Sequence, residues 1–272
     1  MLFRSIHEKD SNNFRRTNLP FPKKSKDIYR IMAIGDSLTF GAGINKKWIY
    51  TEQLERVLQE EYNIEIINLG VSGYQSEDLN ILVKKWLPIL EPDRVIYAFV
   101  INDFLPSLAG EYQANLGLPI PKGIKTYFIN RLRTVDVAEQ GYTKLLLKLG
   151  MGNDFFDDIL INYKNYQTRF RKDFMDTNDF VLKNGLPPIM TLLTDTSAII
   201  GSKGYEINQK AEQIMNEIGM DVIPSENLYT KYNGTHFSIS NFEGHPNEQA
   251  HAIFSSLLYE HIIKNINLDK YK

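Results

Sequence analysis

Hydrophobic positions follow two rhythms along this chain. Ile31-Met32-Ala33-Ile34 is an unbroken apolar run, which predicts a short strand buried on both faces. Gly35 and the polar pair Asp36-Ser37 end it. From Trp48 to Tyr62 the period changes: Tyr50, Leu54, Val57, Leu58 and Tyr62 recur at helical spacing and give one apolar face. Ile64 to Asn68 predicts a second strand, running into a turn with two glycines, Leu69-Gly70-Val71-Ser72-Gly73-Tyr74. Glu77 to Leu90 predicts a helix that Pro92 follows. Arg94 to Ile101, nearly all apolar, gives the strongest strand signal, and it ends at Asn102-Asp103. This β–turn–α–β–turn–α–β order predicts a parallel, doubly wound α/β sheet.

The alternation stops at Phe104. Pro106, Pro119 and Pro121 punctuate the next stretch, Tyr127 to Leu149 is helical in pattern, and residues 104 to about 152 read as an inserted helical cap. Phe156, Ile159, Tyr163, Tyr166, Phe170 and Phe174 then mark one long amphipathic helix, whose aromatic stripe fits core packing. The α/β order resumes with a strand at Pro188 to Leu193, a helix from Tyr205 to Ile218 and a weak fifth strand at Met220 to Ile223. A polar loop carrying Glu243-Gly244-His245-Pro246-Asn247 leads to a closing helix that turns Ala250, Phe254, Leu257, Leu258 and Ile262 inward. Residues 1–27 are polar and rich in Arg, Lys, Asn and Pro. Arg15, Arg16, Lys23, Lys24 and Lys26 are read there as part of a solvated arm laid along a single domain at 28–272.

Composition narrows the function classes. With 31 Lys plus Arg against 33 Asp plus Glu, the net charge of −2 implies no general attraction to nucleic acid. The absence of cysteine excludes disulfides, thiol nucleophiles and Cys-ligated zinc. No stretch approaches the roughly 20 apolar residues of a membrane-spanning helix, and the first residues lack the apolar core of a secretory signal. The chain as given therefore reads as soluble; its compartment and oligomeric state stay open, with the cell envelope or secretion favoured over the cytoplasm. No metal-ligand spacing such as His-Glu-x-x-His occurs, so no metal is expected. Gly41-Ala42-Gly43 lacks the Gly-Lys-Ser/Thr of a phosphate loop, so no nucleotide and no cofactor are expected either.

What remains is a set of polar residues at strand ends, where open α/β sheets hold their ligands. Ser37 follows the first strand, Gly73 the second and Asn102 the third, and His245 precedes the last helix. An alcohol attacks an ester only if a base removes its proton, which is the task of a histidine oriented by a third group. The developing oxyanion needs fixed donors, each worth on the order of 3 kcal/mol in the transition state. A bare glycine N–H and an amide NH2 meet that need, since neither ionises. The serine lacks the Gly-x-Ser-x-Gly elbow of the α/β-hydrolases.

Gly35-Asp36-Ser37-Leu38, Gly73, Asn102 and His245 together resemble, in order, the four blocks of the GDSL or SGNH hydrolase superfamily. That resemblance covers nearly the whole chain outside the arm and the insertion. It implies a three-layer α/β/α sandwich with a flavodoxin-like sheet of about five strands in the order 2-1-3-4-5. It also implies Ser37 as nucleophile, His245 as base and then acid, and the Ser37 and Gly73 N–H groups with the Asn102 side chain as oxyanion hole. Two departures stand out. Val100 replaces the glycine of the third block, and Phe242 occupies the usual acid position of the fourth. Glu243 is then the available carboxylate, because residues two apart in an extended segment point the same way. Asn241 or a backbone carbonyl is the alternative. Asp36 and Asp103 are expected to brace loops as hydrogen-bond acceptors. His236 and His251 are rival histidines, the latter read as packing or surface, and His7 and His261 as incidental. The implied substrate is a small-molecule or carbohydrate ester, cleaved by a serine esterase, for example one removing an acetyl group from a sugar. An acyltransferase using the same acyl-enzyme, or an idle relative that binds a glycan or a partner, are the alternatives.

Overall fold

The unbroken apolar runs become the strands of one parallel sheet: β1 (Tyr29–Gly35), β2 (Ile64–Asn68), β3 (Arg94–Phe99), β4 (Met190–Leu193) and β5 (Asp221–Val222), in the order β2-β1-β3-β4-β5. The order is the one expected. The structure is a computed structural model that describes residues 10, 14–15, 21, 23–106, 120, 133–194, 200–232, 237–240 and 243–272. The chain divides into two compact units, Met1–Ser107 with Asn165–Lys272, and Leu108–Lys164.

Side-chain alternation along the strands builds the layers of the larger unit. Ile31 and Ala33 of β1, with Ile96 and Ala98 of β3, join one core cluster with Leu54 and Leu58 of α2 (Tyr50–Leu58) and with Ala250, Phe254, Leu257, Leu258 and Ile262 of the closing helix (Glu248–Asn265). Every inward position expected for that closing helix is buried. On the opposite parity of β3, Tyr97 stacks on Phe174 at 4.3 Å and Phe99 meets Phe170 edge-on at 5.7 Å. Each such fully buried side chain contributes about 1.5–3 kcal/mol. With both faces covered, β1 and β3 show no polar positions in mid-strand, which is why their sequences are continuous apolar runs.

The remaining helices in chain order are α1 (Ser37–Phe40), α3 (Ser76–Leu90), α4 (Arg133–Lys148), α5 (Phe155–Ile161), α6 (Tyr163–Lys183), α7 (Lys203–Glu217), α8 (Ser225–Tyr232) and the closing helix, α9. Several differ from expectation. The long aromatic helix breaks into α5 and α6 at Asn162, whose amide folds back onto Asp158 O and Oδ1 at 3.1 and 3.0 Å, a side-chain bond that competes with the helix ladder. The third strand stops at Phe99, and Ile101–Phe104 form a 3₁₀ turn. The polar loop before α9 contains α8 and a short antiparallel hairpin, β6 (Ser238–Ser240) with β7 (Glu243–Pro246). Most of the interval read as an insertion, 104–152, lies outside the described residues.

The arm is not simply solvated. Phe14 is 1% exposed and sits edge-on to Trp86 of α3 at 5.4 Å, with Phe21 against the same indole at 5.2 Å. Asp10 bonds Phe14 twice: its backbone N–H donates to Phe14 O (2.9 Å) and its carboxylate accepts the Phe14 N–H (3.1 Å). Isolated aromatics in a polar segment give no continuous apolar face, so nothing in the pattern marks Phe14 as core.

Candidate active site

The carboxyl ends of β1, β2 and β3 place the polar residues that the sequence singles out. Asp36 N-caps α1 by accepting the Leu38 N–H on Oδ1 at 2.9 Å, and Ser37 is the first residue of that one-turn helix. Gly41 closes the turn, its N–H bonding to Leu38 O, and Ala42 N–H bonds to Ser37 O at 2.9 Å. An N–H in the first turn of a helix has no partner within the helix, so the turn leaves the Ser37 N–H free of the ladder. Asn68, at the end of β2, ties this turn down: its amide donates to Thr39 O at 2.6 Å and its Oδ1 accepts the Gly70 N–H at 2.8 Å. Gly70 passes so close to α1 that a Cβ there would lie 2.2 Å from Phe40 N. Only glycine lets the second turn approach the first.

His245 reaches this serine across the fold. Its Nε2 lies 2.9 Å from Ser37 Oγ, 208 residues apart in sequence. The ring is delivered by β7, which is extended from Glu243 to Pro246. A proline suits the start of a helix, yet Pro246 ends β7, and Asn247 caps α9 by accepting the N–H groups of Gln249 and Ala250, each at 3.1 Å. An asparagine cap satisfies two otherwise unpaired donors, which a proline cannot do. Ser37 Oγ thus lies between His245 Nε2 and Asp36 Oδ2, and its one hydrogen is donated to Asp36 at 3.0 Å.

The carboxylates beside the serine are braced by neutral groups. Asp36 Oδ2 accepts from the Asn102 amide at 3.1 Å as well as from Ser37, which joins the first strand end to the third. Asp103 is fully buried and accepts from Tyr97 OH at 2.6 Å and from the Val100 N–H at 3.0 Å. Burial first, and the nearby Asp36 second, push the Asp103 carboxyl well above the ordinary carboxylate range. The valine at 100, where the resemblance expects glycine, keeps the backbone donor that any residue but proline would give, and Asn102 faces Asp36. The Asn102 amide carries a second hydrogen beyond the one given to Asp36. Gly73 holds a left-handed φ of +86°, open to solvent, in the turn that starts where Val71 N–H bonds to Gly35 O at 3.1 Å.

Glu243 has its backbone in β7, two residues before His245, but its side chain lies outside what is described, as do Asn241, Phe242, His236 and His7. His251 is buried. Its Nδ1 accepts the Tyr50 N–H at 3.1 Å, its ring stacks on Tyr50, and burial pushes its pKa down to about 3. His261 pairs with Asp221 at 2.9 Å. Among the described residues, no three His, Asp or Glu side chains converge where a metal ion could sit, and no helix is long and apolar enough to cross a membrane. Sequence reasoning missed Asn68 and Asn247 as supports of the site. A lone Asn at a strand end is a signal for the first; the second needs the fold.

The sequence profile of the GDSL-like Lipase/Acylhydrolase family matches residues 33–253. None of the curated proteins matches the chain in sequence. Among solved structures, the chain is similar to TesA (12% identity, 86% of this chain and 97% of that one covered, TM-score 0.53). It is similar to the psychrotrophic esterase EstA of Pseudoalteromonas sp. (16%, 87% and 97%, 0.52). It is also similar to a catalytic mutant of Axe2, an acetylxylan esterase of Geobacillus stearothermophilus (14%, 86% and 94%, 0.51). At these identities the structures establish a shared α/β/α fold. The profile match spans all four polar strand-end and loop positions, Ser37, Gly73, Asn102 and His245, and the chain belongs to the GDSL-like lipase/acylhydrolase family.

Proposed function

We propose that the protein is a serine esterase that cleaves a carboxylic ester through an acyl-enzyme on Ser37. The observation that carries this reading is the 2.9 Å contact between His245 Nε2 and Ser37 Oγ. In the first step His245 Nε2 takes the Ser37 proton as Oγ bonds to the ester carbonyl carbon, and the carbonyl oxygen becomes an oxyanion. The N–H groups of Ser37 and Gly73 and the second hydrogen of the Asn102 amide bind that oxygen. Collapse breaks the bond to the alcohol oxygen, which leaves with the proton held on His245. Water then repeats the sequence on the acyl-enzyme, releasing the acid and restoring Ser37.

Asp36 supports both ends of this site, since one oxygen holds Ser37 Oγ and the Asn102 amide. We assign Glu243 to orient His245. The extended backbone of β7 supports this, because residues 243 and 245 then lie on one side of the strand. A carbohydrate ester is the substrate class we favour, as one structural neighbour is an acetylxylan esterase. Hydrolysis of p-nitrophenyl acetate and of acetylated xylo-oligosaccharides by the intact protein, by Ser37→Ala and by His245→Ala tests the reading. Loss of activity in both variants is expected. Equal rates in Ser37→Ala and the parent would point to a binding protein instead.

A further inference from the structure

We infer that Arg15, outside the family-matched segment, is a positioning residue for catalysis: its guanidinium clamps the loop that holds Ser37 and the hairpin of His245 together. This rests on Ser37 being the nucleophile. Arg15 Nη1 donates to Gly41 O at 2.6 Å and lies 3.4 Å from Phe40 O, while Nη2 donates to Ile44 O at 2.7 Å. The planar cation also sits over the Phe40 ring at 5.7 Å. One side chain from the arm therefore closes both ends of the loop 41–44.

That loop touches each half of the catalytic pair. On one side Ala42 N–H bonds to Ser37 O at 2.9 Å, immediately behind the nucleophile. On the other, Gly43 packs so closely on Ile239 that a Cβ there would lie 2.2 Å from Ile239 Cδ1. Ile239 belongs to β6, whose partner β7 carries His245. Motion of the loop thus changes the distance between Ser37 Oγ and His245 Nε2 from both ends. The nucleophile's helix is a single turn of four residues, too short to hold itself, because the first turn of a helix is the costly one. It needs outside ties, and a guanidinium supplies a rigid fork where an ammonium cannot.

The arm is built to present this residue. Phe14, one position before Arg15, is seated against Trp86 and is 1% exposed. The aromatic anchor fixes where Arg15 starts, so little freedom is lost when the fork forms. The described hydrogen bonds of Arg15 go to carbonyl oxygens, with Glu52 acting on it only as a neighbouring charge. That separates its role from that of a surface ion pair.

The test is the pre-steady-state acylation of the full chain by p-nitrophenyl acetate, with the burst amplitude counting functional sites. Arg15→Ala is expected to acylate about 100-fold more slowly, as for a misplacement of about 1 Å, with KM little changed and a burst amplitude of one per folded chain. Guanidinium ion at tens of millimolar is expected to restore part of the rate, and sodium chloride at equal ionic strength to restore none. Should Arg15→Ala not fold, Arg15→Lys is expected to acylate about tenfold more slowly with a full burst. Acylation equal to the parent in the variant that folds, a loss wholly accounted for by fewer functional sites, or equal restoration by sodium chloride would overturn the inference. If Ser37→Ala keeps the parent activity, the esterase reading fails first. If Ser37→Ala is inactive and the Arg15 variants acylate normally, only this inference fails.

Discussion

The two edges of the same sheet treat charge in opposite ways. At the amino edge, charge is paired with charge. Arg30, 1% exposed, bonds Glu65 through Nε and Nη2, each at 2.9 Å, and Leu90 O at 2.7 Å. Asp93 takes Lys24 at 2.7 Å, and Asp221 is held by Arg94 and His261. Burial alone would raise the Asp221 pKa, but the His261 hydrogen bond and the Arg94 charge hold it below its ordinary value. At the carboxyl edge, Asp36 and Asp103 are as buried as Arg30, yet their described partners are neutral: hydroxyls, an amide and backbone N–H groups. Paired charge fixes the strands. Beside Ser37, the buried carboxyls are braced by neutral donors instead.

The sharpest break of this comparison separates catalysis from stability. Ser37→Ala and His245→Ala are each expected to lower kcat by at least about 1,000-fold while leaving the thermal midpoint within a few degrees, measured by ester hydrolysis and calorimetry. Arg30→Met should do the reverse. It leaves Glu65 and the Leu90 carbonyl without their partner, at a cost of about 3 kcal/mol in denaturant unfolding, with kcat per folded molecule unchanged.

Two titrations sharpen it further, and their signs are opposite. His251 keeps its pKa near 3 when folded and regains an ordinary value, about 6.5, when unfolded. Above that value it contributes no pH dependence. As pH falls below it, the unfolded chain binds the proton that the folded chain refuses, and stability drops by about 1.4 kcal/mol per pH unit. His251→Asn, which keeps an acceptor for the Tyr50 N–H, should flatten that slope in unfolding measured between pH 7 and 5. Asp103 is raised instead of lowered, so its folded form holds a proton that the unfolded form loses above about pH 4. Stability then declines as pH rises from there toward the raised value, and Asp103→Asn should remove that decline. The smallest effect belongs to Gly73→Ala. Its left-handed φ costs about 1 kcal/mol with a side chain, but the added Cβ meets nothing within 4 Å, so the N–H stays in place and kcat should fall only a few-fold.

The amino-acid pattern carries the sheet because burial on both faces leaves no polar residue in mid-strand, as at Ile31–Ile34 and Val95–Phe99. It also marks the strand-end polar residues, since Ser37, Gly73 and Asn102 stand where an apolar run stops. It does not carry the hairpin that delivers His245. Ser238–Ser240 and Glu243–Pro246 are polar and short, and their pairing is a tertiary fact. The break at Asn162 depends on one side-chain bond to Asp158, which no periodicity shows. Phe14 and Arg15 are hidden for a third reason: an anchor and a fork have no repeat, and the nearest carbonyl that Arg15 meets and the indole that seats Phe14 lie 25 and 72 residues away.

The central claim is that the hydroxyl of residue 37 is the group that accepts the acyl chain, activated by residue 245. Peptide mass spectrometry after brief exposure to a fluorophosphonate reads this directly. The account predicts one adduct per chain, on the peptide containing Ser37, formed rapidly in the parent and at least about 100-fold more slowly in His245→Ala. An adduct on another residue, or equal labelling rates in the two proteins, would contradict it.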